Sequence, residues 1–209
     1  MHIGSVAALW RYPVKSLARE ELVRAEVRAE GFAGDRTSAL IVATPDHPRA
    51  GKTFRGKEHN GLHVLRDASA AVEAARGAGV TLEVAAGERY FDARPVSLIF
   101  DRWLRDVEAL VGHPLDPLRF RPNIFAHAAQ GFNRPESAMV GMTLGAGTVV
   151  LGVVDTIRRC VTPTYDVATG EPEPALLRAI AQQRDNTIGI YCTIIRPGTV
   201  ARGDALVAL

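Results

Sequence analysis

Residues 22–30, LVRAEVRAE, alternate in character along their length. Leu22, Arg24, Glu26 and Arg28 fall on one side of an extended chain and Val23, Ala25, Val27 and Ala29 on the other, the period expected of a half-buried β-strand. Five further stretches are β-branched or alternating runs bounded by Gly, Pro or Asp: SVAALWRYPV (5–14), TSALIVA (37–43), VTLEVA (80–85), TVVLGVV (148–154) and TIGIYCTIIR (187–196). Three helices interrupt them. In DRWLRDVEALVG, Asp101 is the expected cap, Trp103, Leu104, Val107, Leu110 and Val111 form one apolar stripe, and Gly112 with Pro114 ends it. DASAAVEAARGAG (67–79) runs from an Asp67 cap to Gly77. PEPALLRAIAQQR (172–184) starts on prolines that a first turn tolerates and carries Leu176, Leu177 and Ile180 inward. Irregular Pro/Gly segments, not regular helices, separate the strands. A repeating βαβ sheet does not fit that order, which predicts a mostly-β (α+β) barrel with about three peripheral helices. A boundary near ERYFDARP (88–95) divides two expected regions, 1–92 and 93–209, packed as one compact unit.

At 209 residues the chain buries roughly 70% of its unfolded surface, so it needs no disulfide or metal staple. With 47% hydrophobic and 23% charged residues and a net charge of +2, nothing draws it strongly to nucleic acid or membrane. Aromatics are only 6% and no basic stripe interleaves with them, which argues against a stacking platform for single strands. The basic cluster KTFRGK (Lys52, Arg55, Lys57) reads as a solvated loop. The amino terminus MHIGSVAALWRYPVK lacks the features of a signal peptide, and no run approaches the ~18 apolar residues of a membrane span. Two cysteines in that context point to a reducing compartment and free thiols. The expectation is a soluble, cytoplasmic protein with no nucleic-acid and no membrane partner.

There is no GxGxxG, P-loop, GxSxG or CxxC. His59 and His63 have the spacing of a helical metal pair, but the intervening Asn-Gly argues for loop. Four short stretches join cationic residues to turn residues: YPVKS (12–16) with Lys15, GDR (34–36) with Arg36, RFRPN (119–123) with Arg119 and Arg121 on one face of an extended chain, and IRRCVTPTYDVATG (157–170). Singly, Lys15 reads as a surface lysine, Arg36 as half of a surface bridge with Asp35, and the arginines of RFRPN as guards of a sheet edge. Cys160 differs, because the adjacent Arg158 and Arg159 favour thiolate, the form that attacks electrophiles and binds metals. Cys192, among apolar and hydroxyl neighbours in IGIYCTII, reads as core. A cationic pocket with one thiolate suits an anionic, phosphate-bearing ligand whose metal accepts sulfur.

The order YPVKS, GDR, RFRPN, Glu-(x)4-Gly, then Arg-Cys-(x)3-Thr-x-Asp-(x)2-Thr-Gly resembles the MOSC domain, named for the carboxy-terminal part of molybdenum cofactor sulfurase and found in mitochondrial amidoxime-reducing components and bacterial relatives. The resemblance runs essentially end to end. YPVKS and GDR belong to the amino-terminal β-barrel portion, and RFRPNI, ESAMVG, RRCVTPTYDVATG and RPGTVARGD to the MOSC core. It implies a molybdenum cofactor, a pterin dithiolene with a phosphate tail, with Cys160 as the ligand to molybdenum. It also implies cofactor contacts from Lys15, Ser16, Arg36, Arg119, Arg121, Asn123, Arg159 and Thr164, and a catalytic role for Asp166 beside Cys160. The sequence departs from the family at Pro163, where a second Thr is usual, at Met139, where Trp is frequent, and at Arg158, where relatives can carry a small residue. It has neither the cysteine cluster of a fused ferredoxin nor a cysteine-desulfurase region.

Three functions follow from the resemblance. The first is a molybdenum oxidoreductase acting on N-hydroxylated or N-oxygenated small molecules, fed by a separate electron donor (a reductase or an electron-transfer protein). The second is a carrier of sulfur or cofactor, with a persulfide or transiently bound cofactor on Cys160 and no substrate turnover. The third is a MOSC fold that has lost its cofactor and serves as a binding module.

Overall fold

The computed structural model describes residues 1–209 except 57–61, 66 and 88 and the side chain of His63. The HxxxH spacing therefore lies outside the described residues, as does Lys57. Thirteen strands run in chain order among those described: β1 His2–Arg11, β2 Glu20–Leu22, β3 Arg24–Arg28, β4 Gly31–Phe32, β5 Ser38–Val42, β6 Leu82–Ala86, β7 Val96–Phe100, β8 Ile124–Ala128, β9 Thr143–Ala146, β10 Val149–Arg158, β11 Thr187–Arg196, β12 Gly198–Ala201 and β13 Ala205–Ala208. The three described α-helices are α1 Ala68–Gly77, α2 Asp101–Val111 and α3 Pro174–Gln183.

The largest sheet has the order β13-β9-β10-β11-β7-β8-β1-β2, and β13 also pairs with β1, closing seven strands into a barrel. All of these pairings are antiparallel except β7–β8, where Leu98 lies against Ile124 and Phe100 against Ala126 in parallel. The β7–β8 connection is a crossover through α2, which lays Trp103, Leu104 and Val107 on the barrel. The mostly-β barrel with three peripheral helices is therefore what forms. A three-stranded sheet, β12-β3-β4, and a two-stranded one, β5-β6, complete the β structure.

Two hydrophobic cores result. The larger fills the barrel with residues from both ends of the chain, from Ile3, Val6 and Leu9 to Ile190, Cys192 and Leu206. The smaller joins Leu17, Leu40, Val42, Phe54, Leu62, Ala71, Ala75 and Leu82.

Local rules hold with three instructive exceptions. LVRAEVRAE is not one strand: Val23, 79% exposed, breaks it into β2, which pairs with β1, and β3, which pairs with β12. Only Ala25 and Val27 of the expected apolar face are buried, because each half of the stretch serves a different sheet. Asp101 is the first helical residue of α2, not its cap, and its carboxylate accepts from the Ala128 amide at 2.9 Å and from Arg105. Residues 117–120 of RFRPN and its lead-in form a 3-10 turn capped by Asp116, after which Arg121 takes φ 52°. Arg119 and Arg121 therefore diverge instead of sharing an extended face. By contrast, Asp67 caps α1 through the Ala70 amide, and Gly112 ends α2 at φ 82° as the sequence predicts.

Two valines four residues apart in that split stretch test the packing. Val27→Ala, cut from the main core, is expected to lower the unfolding free energy by about 2 kcal/mol. Val23→Ala should change it by less than about 0.5 kcal/mol, both read by denaturant titration.

Candidate functional site

Four segments distant in sequence meet at one cavity of about 330 Å³. β1 runs into Tyr12-Pro13, where Val14 bridges Ser38 and the Lys15 amide donates to the Ser38 carbonyl at 2.8 Å. This turn sets Ser16 at φ 70°. The GDR turn follows the same logic: Arg36, at φ 49°, donates its amide to the Tyr12 carbonyl at 2.7 Å, and the Asp35 carboxylate accepts the Tyr12 amide at 2.7 Å. The 3-10 turn delivers Arg121, and β10 delivers Arg158, Arg159 and Cys160. Ser16, Arg36 and Arg121, three of the five non-glycine residues with positive φ among those described, all line this cavity. Such conformations cost of order 1 kcal/mol each and gather where function demands them.

Tyr12 organises the cations. Its ring is buried, with the Arg121 guanidinium 4.1 Å and the Arg36 guanidinium 4.8 Å from its centroid, while its hydroxyl donates to the Pro122 carbonyl at 3.2 Å. Such stacking offsets part of the desolvation of a guanidinium. Arg36 is paired with Asp35, which is 1% exposed. Burial is the strongest single influence and would depress its pKa, but the charge and hydrogen bond of Asp35, with Tyr12 and Asp92, together outweigh it and hold the group above the ordinary arginine value. No carboxylate among the described residues pairs with Arg121. Burial pushes its pKa down to about 10, the Arg36 charge acts the same way, and Nη2 is buried with no hydrogen-bond partner. At neutral pH it stays a cation.

Arg159 is depressed to about 10 by burial as well. Its guanidinium donates to main-chain carbonyls, Ile188 from Nε at 2.9 Å and Phe120 from Nη1 at 3.0 Å. Gly189 permits this approach: at φ 87°, a Cβ there would stand 2.8 Å from Ile99 Cγ1 and 3.2 Å from Arg159 Nη2. Arg158 is exposed on the cavity wall. The Cys160 thiol is exposed and donates to Thr162 Oγ1 at 3.3 Å, while Cys192 is buried in the barrel and its thiol is pushed up to about 12.

Of the residues singled out in the sequence, Lys15, Ser16, Arg36, Arg119, Arg121, Asn123, Arg159 and Cys160 line the same cavity. Asn123 does so as a structural latch, its side chain bonded to Ser97 and to the Trp10 carbonyl. Lys15 pairs with Asp92 at 2.6 Å, and Arg119 with Glu173 at 2.8 Å and Asp166 at 3.3 Å. Thr164 and Asp166 do not line the cavity. The Thr164 hydroxyl donates to the Val161 carbonyl, and the Asp166 carboxylate accepts from the Ala168 and Thr169 amides, which hold its pKa below the usual range. Both shape the loop behind Cys160. Sequence reasoning passed over Tyr12, Asp92, Ser97 and Tyr191. Tyr12 sits inside YPVKS, but nothing local shows that two arginines from distant turns close on its ring.

The MOSC domain profile matches residues 56–207, and the MOSC N-terminal beta barrel domain profile matches residues 3–94. This chain belongs to the MOSC domain family. No curated protein matches the MOSC chain. Among solved structures, the YUAD protein from Bacillus subtilis is 17% identical over 98% of this MOSC chain and 94% of its own, with a TM-score of 0.59. A protein described as hypothetical is 12% identical over 100% of this chain and 68% of its own, with a TM-score of 0.52. YiiM from Escherichia coli is 12% identical, with a TM-score of 0.48, over 100% and 70%. At these identities the first two likenesses establish the fold. No described helix is long and apolar enough to cross a membrane, and no group of three or more His, Cys, Asp or Glu among the described residues is placed to hold a metal ion.

The buried phenol of this MOSC site carries a pH signature. Burial pushes Tyr12 up to about 12 from 10.0, so its contribution to stability is complete below pH 10 and is lost as pH rises through 12. Cys192 acts in the same sense between 9.0 and about 12. Arg121 and Arg159, depressed to about 10, act in the opposite sense over the same range, so the comparison between proteins is what isolates the two raised groups. From pH 9 to 12 the unfolding free energy of wild type should fall relative to that of Tyr12→Phe and to that of Cys192→Ala.

Proposed function

We propose that this MOSC protein binds a molybdenum cofactor and reduces N-hydroxylated or N-oxygenated small molecules, with Cys160 as the protein ligand to molybdenum. The observation that carries the reading is the unsatisfied Arg121 Nη2, buried beside two further left-handed residues in a cavity with an exposed thiol on its wall. A buried cation with no carboxylate paired to it among the described residues is costly, and an anionic ligand offsets that cost. The donor set fits the group: one sulfur for a soft metal, and guanidinium and ammonium groups for a phosphate tail.

In this reading Arg36, Arg121, Arg159 and Lys15 hold the anionic parts, with Ser16 on the same turn as Lys15. Arg119, Asn123 and Thr164 keep the surrounding turns in place, and Asp166 fixes both Arg119 and the loop after Cys160. When bound, the cofactor supplies two-electron chemistry: the N–O bond breaks, two electrons from a separate donor protein and two protons enter, and the oxygen leaves as water. The chain's own part is binding, orientation and the electrostatics of the cavity.

A second reading, a carrier of sulfur or cofactor, draws on the exposure of Cys160, which leaves the thiol within reach of a partner protein. Molybdenum per chain, measured by elemental mass spectrometry on protein from a molybdenum-replete host that makes the cofactor, separates the two. The oxidoreductase reading expects stoichiometric molybdenum in wild type and Cys192→Ala, a fall of more than about tenfold in Cys160→Ala, and turnover of a hydroxylamine or amidoxime with an artificial donor. Wild type without molybdenum overturns that reading, and a persulfide on Cys160 would then support the carrier.

A further inference from the structure

Cys160 stands two residues past the end of β10, and its direction depends on how the main chain of the intervening Arg159 is held. The Arg159 main chain is gripped at both its N–H and its C=O by one residue. The Arg159 amide donates to the Asn186 carbonyl at 2.9 Å, and Asn186 Nδ2 donates to the Arg159 carbonyl at 2.8 Å. Asn186 itself is tied down, its amide bonded to the Ile180 carbonyl of α3 at 3.2 Å. Its Oδ1 is buried with no hydrogen-bond partner, so the described hydrogen bonds of this side chain all go to the Arg159 carbonyl.

The choice of residue adds weight. Asn186 stands at φ 58°, directly after Asp185 at φ 50°. A turn that needed only this backbone angle would be best met by glycine, as Gly112 and Gly189 meet theirs. Asparagine tolerates the angle at some cost and brings an amide that glycine lacks.

We propose that Asn186 is the positioning residue for Cys160: its carbonyl and side-chain amide clamp the Arg159 main chain and fix the direction in which the thiol is presented to the cavity. This rests on the reading that Cys160 is the working thiol of the site.

Asn186→Gly relieves the backbone angle and removes the amide, while Asn186→Asp keeps the side-chain shape and replaces the donor with an acceptor facing the Arg159 carbonyl. Asp185→Gly relieves the neighbouring angle without touching the clamp. The rate of Cys160 alkylation by iodoacetamide, localised by peptide mass spectrometry, is compared at matched melting temperature. Both Asn186 variants should react faster by about fivefold, the scale of one lost hydrogen bond, and Asp185→Gly at the wild-type rate. Retained molybdenum should fall in the same two variants. Wild-type rates in both Asn186 variants, or an equal increase in Asp185→Gly, would overturn the clamp. If wild-type protein carries no molybdenum, the cofactor reading fails, and the alkylation rates still decide the role of Asn186.

Discussion

The site depends on a buried cation, Arg121, that forms no ion pair with a carboxylate among the described residues. Arg121 lies against the Tyr12 ring with Nη2 buried and without a hydrogen-bond partner; the Arg36 charge opposes it, and Asp35 and Asp92 act on it from a distance without pairing. Desolvation of this kind is normally repaid by a carboxylate, as Asp35 does for Arg36 and Glu173 for Arg119. The pattern of paired and unpaired guanidiniums is what supports the proposal of an anionic ligand in this cavity.

The barrel supplies the rigidity that holds this arrangement. β1 and β8 are antiparallel neighbours and β7 and β8 parallel ones, so the turn after β1 and the turn before β8 lie at one end of the sheet. Asn123 ties them: it bonds the Ser97 amide and hydroxyl on β7 and the Trp10 carbonyl on β1. A lattice of main-chain bonds around Tyr12, Asp35 and Arg36 then fixes the other two turns against them. Left-handed conformations at Ser16, Arg36 and Arg121 persist because these surroundings leave no alternative.

Much of this was legible in the sequence, and the exceptions have physical causes. Apolar alternation marked the strands, because burial on one face is a local property of each segment. The contrast between the two cysteines was legible for the same reason: Cys192 has apolar and hydroxyl neighbours in the chain and in space, and Cys160 has charged ones. The Asp35–Arg36 pair was visible as a pair but read as a surface bridge, since burial of Asp35 at 1% depends on Tyr12 and Arg89 arriving from elsewhere. The two arginines of RFRPN looked equivalent, whereas the 3-10 turn capped by Asp116 sends one to Glu173 and the other to Tyr12. Neither the break at Val23 nor the grip of Asn186 on Arg159 had a local signal: the first arises because β2 and β3 pair into different sheets, the second from a contact between residues 27 apart in the chain.

The central claim, that the cavity is built for an anion held by Arg121, has a direct test in the thermal stability of the cofactor-free protein. Melting temperature is recorded against phosphate or pyrophosphate, with chloride at matched ionic strength as reference, for wild type and Arg121→Asn, a side chain that accepts the left-handed backbone. A phosphate-specific rise in wild type that is lost in Arg121→Asn is the result expected. The same melting temperature in phosphate and chloride, or an equal rise in both proteins, would contradict it.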